Sequence, residues 1–307
     1  MTGTTRRDTL RIAAAATAAA FGAARPLAAS PLQGEGLKTT PLGDVEIVTV
    51  SDGRIDMPLS AFPNLGRFIS TGAAESVPLG ALAYVIRLPG RTVLVDAGAG
   101  TFHMPSSGRT GLARGRLMAG GLDPADVTDV VLTHMHPDHA GGLLEADMLA
   151  YPNAAIHVTE AEWAHWTVDA AMGDAAEGMR GTPALARRLA ELAPDRVVRH
   201  GGMADLGGGL HFDPAPGHSP GHACVHLEAG GRQVMMLGDT LVTAPAQLLH
   251  PELTCDLDLD HLLAIETRAR LFDRIATDGI AFSATHLTTL SLGTLRREGD
   301  GYAFSPA

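Results

Sequence analysis

Thr133-His134-Met135-His136-Pro137-Asp138-His139-Ala140-Gly141-Gly142 sets three imidazoles and a carboxylate into six positions, directly after the apolar run Asp129-Val130-Val131-Leu132. A short buried strand that ends in such a cluster is a metal-site pattern. At an extended strand end, His134 and His136 sit two apart and point to the same side. Asp138 and His139 follow where the chain turns into small residues, so they face a second point a few ångströms on. Neutral imidazole and carboxylate suit zinc and similar divalent cations. The stretch therefore predicts two adjacent metals, one on His134 and His136, the other on Asp138 and His139. A lone His in an apolar neighbourhood is usually a hydrogen-bonded core residue. That is the reading for His103, His157, His165, His200, His211, His226 and His261. With 14 His in the chain some clustering arises by chance, but chance does not set an Asp among them between a strand and Gly-Gly.

More donors are needed, and four other strand ends supply them. Thr92-Val93-Leu94-Val95-Asp96 runs into a Gly-rich turn. Pro214-Ala215-Pro216-Gly217-His218-Ser219-Pro220-Gly221-His222 is a Pro/Gly-rich turn with two His ahead of a strand-like run at 223–227. Val234-Met235-Met236-Leu237-Gly238-Asp239 and Ile280-Ala281-Phe282-Ser283-Ala284-Thr285-His286 are apolar strands ending in Asp and His. Polar groups delivered repeatedly after apolar runs mark the rim of a buried sheet.

In this order the pieces resemble the metallo-β-lactamase-fold hydrolase superfamily, whose motifs run Asp, His-x-His-x-Asp-His, His, Asp, His. Any one motif alone would be far weaker. The resemblance implies an α/β fold, an αββα sandwich of two stacked mixed sheets with helices on the outer faces. It places His134, His136 and His218 on one metal and Asp138, His139 and His286 on the other, with Asp239 bridging. It also makes Asp96 an orienting residue and gives His222 a supporting role in its turn. Two divalent ions are implied, zinc first, with Mn, Fe and Co as alternatives. The implied chemistry is metal-assisted hydrolysis of an ester, lactone or phosphotriester, with Asp138 passing the proton to the leaving group. The segments Gly238-Asp239-Thr240, 244–252 and Thr285-His286-Leu287 look closest to the methyl parathion hydrolase-like branch, with N-acyl homoserine lactonases as neighbours. Those lactonases often carry Tyr three residues after the bridging Asp; here that position is Val242. Two alternatives come from other classes: a mononuclear-iron dioxygenase acting on thiol persulfides, and a non-catalytic metal-binding member of the fold. β-Lactamase activity is a weaker expectation.

The chain has 307 residues, 45% hydrophobic and 19% charged, enough for one domain with a proper core. Thirty-six Gly and 19 Pro fit a loop-rich α/β fold. The net charge is −11, and residues 1–30 hold Arg6, Arg7, Arg11 and Arg25 against Asp8, so the chain without them carries −14. Such acidity argues against nucleic acid as substrate, because phosphate backbones call for basic grooves. It also disfavours stable association with anionic membranes. The expected partner is a small-molecule substrate; a homodimer remains open. Thr5-Arg6-Arg7-Asp8-Thr9-Leu10, the apolar run 12–24 and Leu27-Ala28-Ala29-Ser30 read in order as a twin-arginine-type signal with a cleavage region. The apolar run is too short and Ala-rich to span a membrane. The expected organisation is a signal at 1–30, a linker at 31–44, a single domain at 45–307, and a periplasmic or secreted location. Cys224 reads as core and Cys255 as a surface-loop residue, a disulfide between them being open.

Strands are expected at 45–50, 83–88, 92–95, 196–199, 210–212, 223–227, 232–237 and 280–283, and helices at 183–193 and 258–276. Pro89-Gly90-Arg91 marks a hairpin, and Asp123-Pro124-Ala125-Asp126 a short helix start. Residues 57–68 are apolar but carry Pro and Gly, so no regular element is expected there. They and Glu162-Trp163-Ala164-His165-Trp166, which holds both Trp, read equally as pocket walls for an apolar substrate or as ordinary packing.

Overall fold

The computed structural model describes residues 32–68, 72, 74–101, 109–168, 181–244 and 246–307. The proposed signal segment and His103 lie outside these residues. Sheet one begins with β1 (Leu37–Leu42), β2 (Val45–Pro58), β3 (Ser76–Leu88) and β4 (Arg91–Val95), an antiparallel meander. It continues in parallel through β5 (Asp129–Val131), β8 (Ala155–Thr159) and β9 (Val197–His200), while β6 (Leu144–Glu145) and β7 (Met148–Leu149) form a small hairpin of their own. Sheet two runs in chain order through β10 (Ala204–Gly207), β11 (Leu210–Pro214), β12 (Ala223–Ala229), β13 (Arg232–Met236), β14 (Ala281–Ser283), β15 (Gly293–Glu298) and β16 (Gly301–Pro306), with only β13 and β14 parallel.

The sandwich follows from which faces are apolar. Alternate residues of sheet one point to opposite sides. Ile47, Tyr84, Ile86, Val93, Val95 and Val131 share one core with Phe212, Val225, Val234 and Phe282 of sheet two. The intervening Val48, Val50, Ala83, Val85, Leu94 and Val130 join a second core with Leu117 of α1 (Ala113–Ala119), Trp166 of α3 (Glu160–Thr167) and Leu185 and Leu189 of α4 (Gly181–Leu192). Strands buried on both faces read as unbroken apolar runs, and that is how parallel strands read. The one-turn helices α2 (Pro137–Ala140) and α5 (Ala246–Leu249) sit after β5 and β13, and the long crossover from β13 to β14 is α6 (His261–Asp278). Asp260 caps α6 by accepting from Leu263 N, and Gly279 ends it at φ +66°. The helix expected from 258 thus starts later, because Asp260 is its cap and Asp258 has other work.

Three expectations are corrected. The 31–44 linker contains β1, paired from Leu37↔Val50 to Leu42↔Val45; an edge strand with one half-exposed face looks polar in sequence. Cys255 is not on the surface but wholly buried, packed with Ile55, Leu79, Val242 and Leu253 in a third apolar cluster. Both Cys are free thiols. The 57–68 segment is more regular than expected: β2 runs through Pro58, and 3₁₀ turns follow at Leu59–Ala61 and Leu65–Arg67.

Candidate metal centre

The site sits where strand ends of both sheets meet. Past β5 the chain bends at Thr133 and reaches His136 in an extended conformation (φ −60°, ψ 152°), at the N-cap position of α2 with Pro137 first in the helix. That single turn carries Asp138 and His139. Gly142 follows because a Cβ there would lie 2.0 Å from the Ala97 carbonyl oxygen, so no other residue lets the two loops touch. Asp96 takes the left-handed conformation at φ +55°, uncommon for a residue with a side chain. The turn aims its carboxylate inward, where Oδ1 accepts from Thr133 N at 2.9 Å and Oδ2 meets His139 Nδ1 at 2.8 Å.

The donors fall into two groups, His134, His136, His218 and Asp239 in one and Asp138, His139 and His286 in the other, each with ligand atoms within 4.8 Å of one another. All seven residues are buried. Asp239 lies between the groups. Its Oδ2 is 3.3 Å from His218 Nε2, 3.2 Å from His286 Nε2 and 3.9 Å from His134 Nε2, while Oδ1 is 3.1 Å from His139 Nε2. Asp138 Oδ2 stands 3.7 Å from His139 Nε2 and 3.6 Å from His286 Nε2.

Neighbours fix which nitrogen is free. An acceptor-only carboxylate or carbonyl holds the imidazole proton on the nitrogen facing it, leaving the other lone pair open. Asp96 does this for His139, Asp258 Oδ1 for His218 at 2.9 Å, and the Gly80 carbonyl for His286 at 2.9 Å. In all three Nε2 is left facing Asp239. His136 instead brings Nδ1 within 3.0 Å of His218 Nε2. His134 Nε2, His139 Nε2 and Asp239 Oδ1 are buried without a hydrogen-bond partner. Buried polar atoms are ordinarily paired, so orphaned lone pairs converging from two sides fit divalent cations.

The electrostatics agree. Burial and then the neighbouring imidazoles push the His134 and His136 pKa values well down. Burial also opposes charge on His139, His218 and His286, but the carboxylates outweigh it. Asp239, Asp138 and Asp96 raise His139, Asp239 and Asp258 raise His218 to about 9, and Asp239 and Asp138 raise His286. Asp239 itself is buried, yet His286 and His139 hold it well below the usual carboxylate range. Protons thus collect where cations would displace them.

His222 is not among the grouped donors. Its Nδ1 donates to the Ala215 carbonyl at 3.1 Å and its Nε2 accepts from Asp239 N at 3.0 Å. Burial and His218 lower its pKa to about 3, keeping it neutral. It supports the turn and the Asp239 backbone, as the resemblance implied. Gly238, at φ +52°, leaves room for it, since a Cβ there would come within 2.6 Å of His222 Nε2.

Sequence reasoning missed three residues. Glu162, fully buried on α3, accepts from Met135 N, Trp166 Nε1, Ser219 Oγ and Gly221 N, and so ties the His134–His136 segment to the His218 turn. Asp258 orients His218. Buried Arg268 of α6 reaches Asp258 at 3.5 Å and donates to the carbonyls of Thr240, Pro251 and Leu253. The only sequence signal for Glu162 was a charge beside two Trp. Trp166 is packing rather than open wall: it is buried, its ring meeting that of His136 edge-on at 5.5 Å.

Solved structures share this architecture. AidC, a dizinc quorum-quenching lactonase, superposes with a TM-score of 0.79 at 24% identity over 89% of this chain and 97% of that one. The hydrolase AbOPH gives 0.78 at 24% identity over 90% and 98%. The chain is also 34% identical over 167 residues to a "Probable metallo-hydrolase" of Mycobacterium tuberculosis, a match covering 48% of this chain and 52% of that protein. The chain thus spans about half the length of the curated relatives it matches. The family model of the "Metallo-beta-lactamase superfamily" matches residues 77–286, from β3 to the His286 strand end. With both sheets and every donor in that span or packed against it, the chain belongs to the metallo-β-lactamase superfamily.

Proposed function

We propose that this chain is a dinuclear-metal hydrolase that cleaves an ester, lactone or phosphotriester bond in a small, fairly apolar substrate. The observation that carries the reading is Asp239, whose two carboxylate oxygens face donors of both groups. Two divalent cations, when bound, supply Lewis acidity that brings the pKa of water toward about 7 and polarises the substrate oxygen. The protein's part is to hold the buried donors in preorganised positions. Asp96, Asp258 and the Gly80 carbonyl fix the tautomers, so no reorientation is needed during reaction. Asp138, buried beside His139 and His286, is placed to carry a proton to the leaving group. Val242 is buried and apolar, so it offers no hydrogen bond to a developing oxyanion. Leu259 is exposed beside the His218 turn, its N donating to the His218 carbonyl; it favours an apolar substrate group. Zinc is the proposed metal, and the periplasm the proposed location.

The test is proton release by zinc-loaded protein offered an acyl homoserine lactone and an aryl phosphotriester in parallel. Asp239→Ala is expected to lose or misplace metal and to abolish turnover. Near wild-type turnover in that variant defeats the bridging role. Preference for one substrate fixes the bond type. Inertness toward both, with one iron per chain and oxygen uptake on a thiol persulfide, replaces hydrolysis with dioxygenase chemistry.

A further inference from the structure

A third group of donors lies outside this centre. His211 on β11 and His226 on β12 are direct cross-strand partners, and Glu228 is two residues further along the same face. The imidazole rings stand 4.5 Å apart, and the three residues offer ligand atoms within 4.8 Å of one another. Both His had read from sequence as ordinary packing. A satisfied packing His would have both nitrogens engaged or solvated. His226 is buried, and its Nε2 has no hydrogen-bond partner. Its other nitrogen, Nδ1, is approached by Arg274 Nη2 at 3.5 Å, the outer limit of a hydrogen bond. Arg274 is itself engaged by an ion pair with Asp213 and reaches Asp278 at 4.0 Å.

We infer that His211, His226 and Glu228 form a further divalent-metal site of zinc type. Two imidazoles and a carboxylate are a borderline-soft donor set, suited to zinc ahead of magnesium or calcium. The half-exposed His211 and exposed Glu228 give solvent a path to the buried His226. Arg274 can only donate, so its 3.5 Å contact makes His226 Nδ1 the acceptor and puts the proton on Nε2. Ligation through Nε2 moves that proton to Nδ1, gives up this long contact and leaves Arg274 to its ion pair with Asp213. The site clamps β11 to β12, the two strands whose connection carries His218 and His222. It therefore braces the turn from the sheet side without touching the hydrolytic centre.

The test is zinc titration of the chelator-stripped full chain, followed by metal analysis after gel filtration. His211→Ala and Glu228→Gln are compared with wild type; neither residue belongs to the hydrolytic centre. Wild type is expected to bind one zinc per chain more than either variant, and to gain thermal stability from that last equivalent. Equal zinc content and equal stabilisation in all three proteins would overturn the proposal. Glu228→Gln alters only an exposed side chain, so it decides the matter if His211→Ala folds poorly.

Discussion

Asp96 shows how much chemistry one residue settles. It holds a left-handed backbone conformation, receives the Thr133 amide and fixes the His139 tautomer with one carboxylate. Asn tolerates the same backbone conformation but loses the charge and an acceptor oxygen. Asp96→Asn is therefore expected to keep the fold and to weaken metal binding at the Asp138–His139–His286 group by about 10–100-fold, the usual cost of losing an orienting partner. Competition against a chromophoric chelator measures this; unchanged affinity would reassign Asp96 to backbone support. Glu162 is the opposite case, outside the donor groups but satisfying four donors. Removing a buried acceptor costs about 1–3 kcal/mol for each donor left unpaired, and water can re-enter part of the space. Glu162→Ala should lower the unfolding free energy of the metal-free protein by about 2–4 kcal/mol, read by urea denaturation. A smaller loss would mean that the two ligand segments hold their positions without it.

At the scale of elements, the loops at one rim carry the chemistry while the strands behind them carry the stability. Arg91 of β4, Asp129 of β5 and His157 of β8 link three neighbouring strands: Asp129 pairs with Arg91 at 3.0 Å and with His157 at 2.9 Å. Burial alone would raise the Asp129 pKa, but the bonds from His157, Arg91 and Thr128 hold it well below the usual carboxylate range. Its folded-state pKa is thus depressed, so its contribution to stability is complete above the unfolded value of about 4 and is lost as pH falls below it. Asp129→Asn is expected to flatten the dependence of stability on pH below about pH 4 and to lower stability at neutral pH. Chemical denaturation of both proteins across that range checks it, and parallel curves would remove Asp129 from the acid response. Elements were legible to differing degrees for a physical reason. The parallel strands β4 and β5 are apolar on both faces and read clearly. The edge strand β1 is only half-buried over most of its length, so Lys38, Thr39 and Thr40 imitate a linker.

For the whole molecule, the donor groups join the two sheets: the 134–139 segment extends from sheet one, while His218, Asp239 and His286 extend from sheet two. Metal binding therefore adds to the stability of the sandwich as a unit. At a free-ion level about 100 times the dissociation constant, linkage predicts about 2.7 kcal/mol of added stability. Chelation should lower the thermal midpoint by several degrees, and readdition of zinc should restore it; a midpoint indifferent to chelator would separate the site from the fold's cohesion. What the sequence by itself determined was which strands end in candidate donors; the grouping of those donors and the αββα sandwich were what the resemblance implied. The strand ends are local signals: apolar runs make buried strands, and a polar residue just past such a run emerges at the rim. Only the tertiary structure could assign Glu162, Asp258 and Arg268 to the site and bury Cys255. The donors to Glu162 come from Met135, 27 residues away, and Gly221, 59 residues away, and Asp258 meets His218 across 40 residues. A buried carboxylate is tolerated only when distant chain segments bring their N–H and O–H groups to it, and that convergence is a property of packing, with no trace in the spacing of neighbours along the chain.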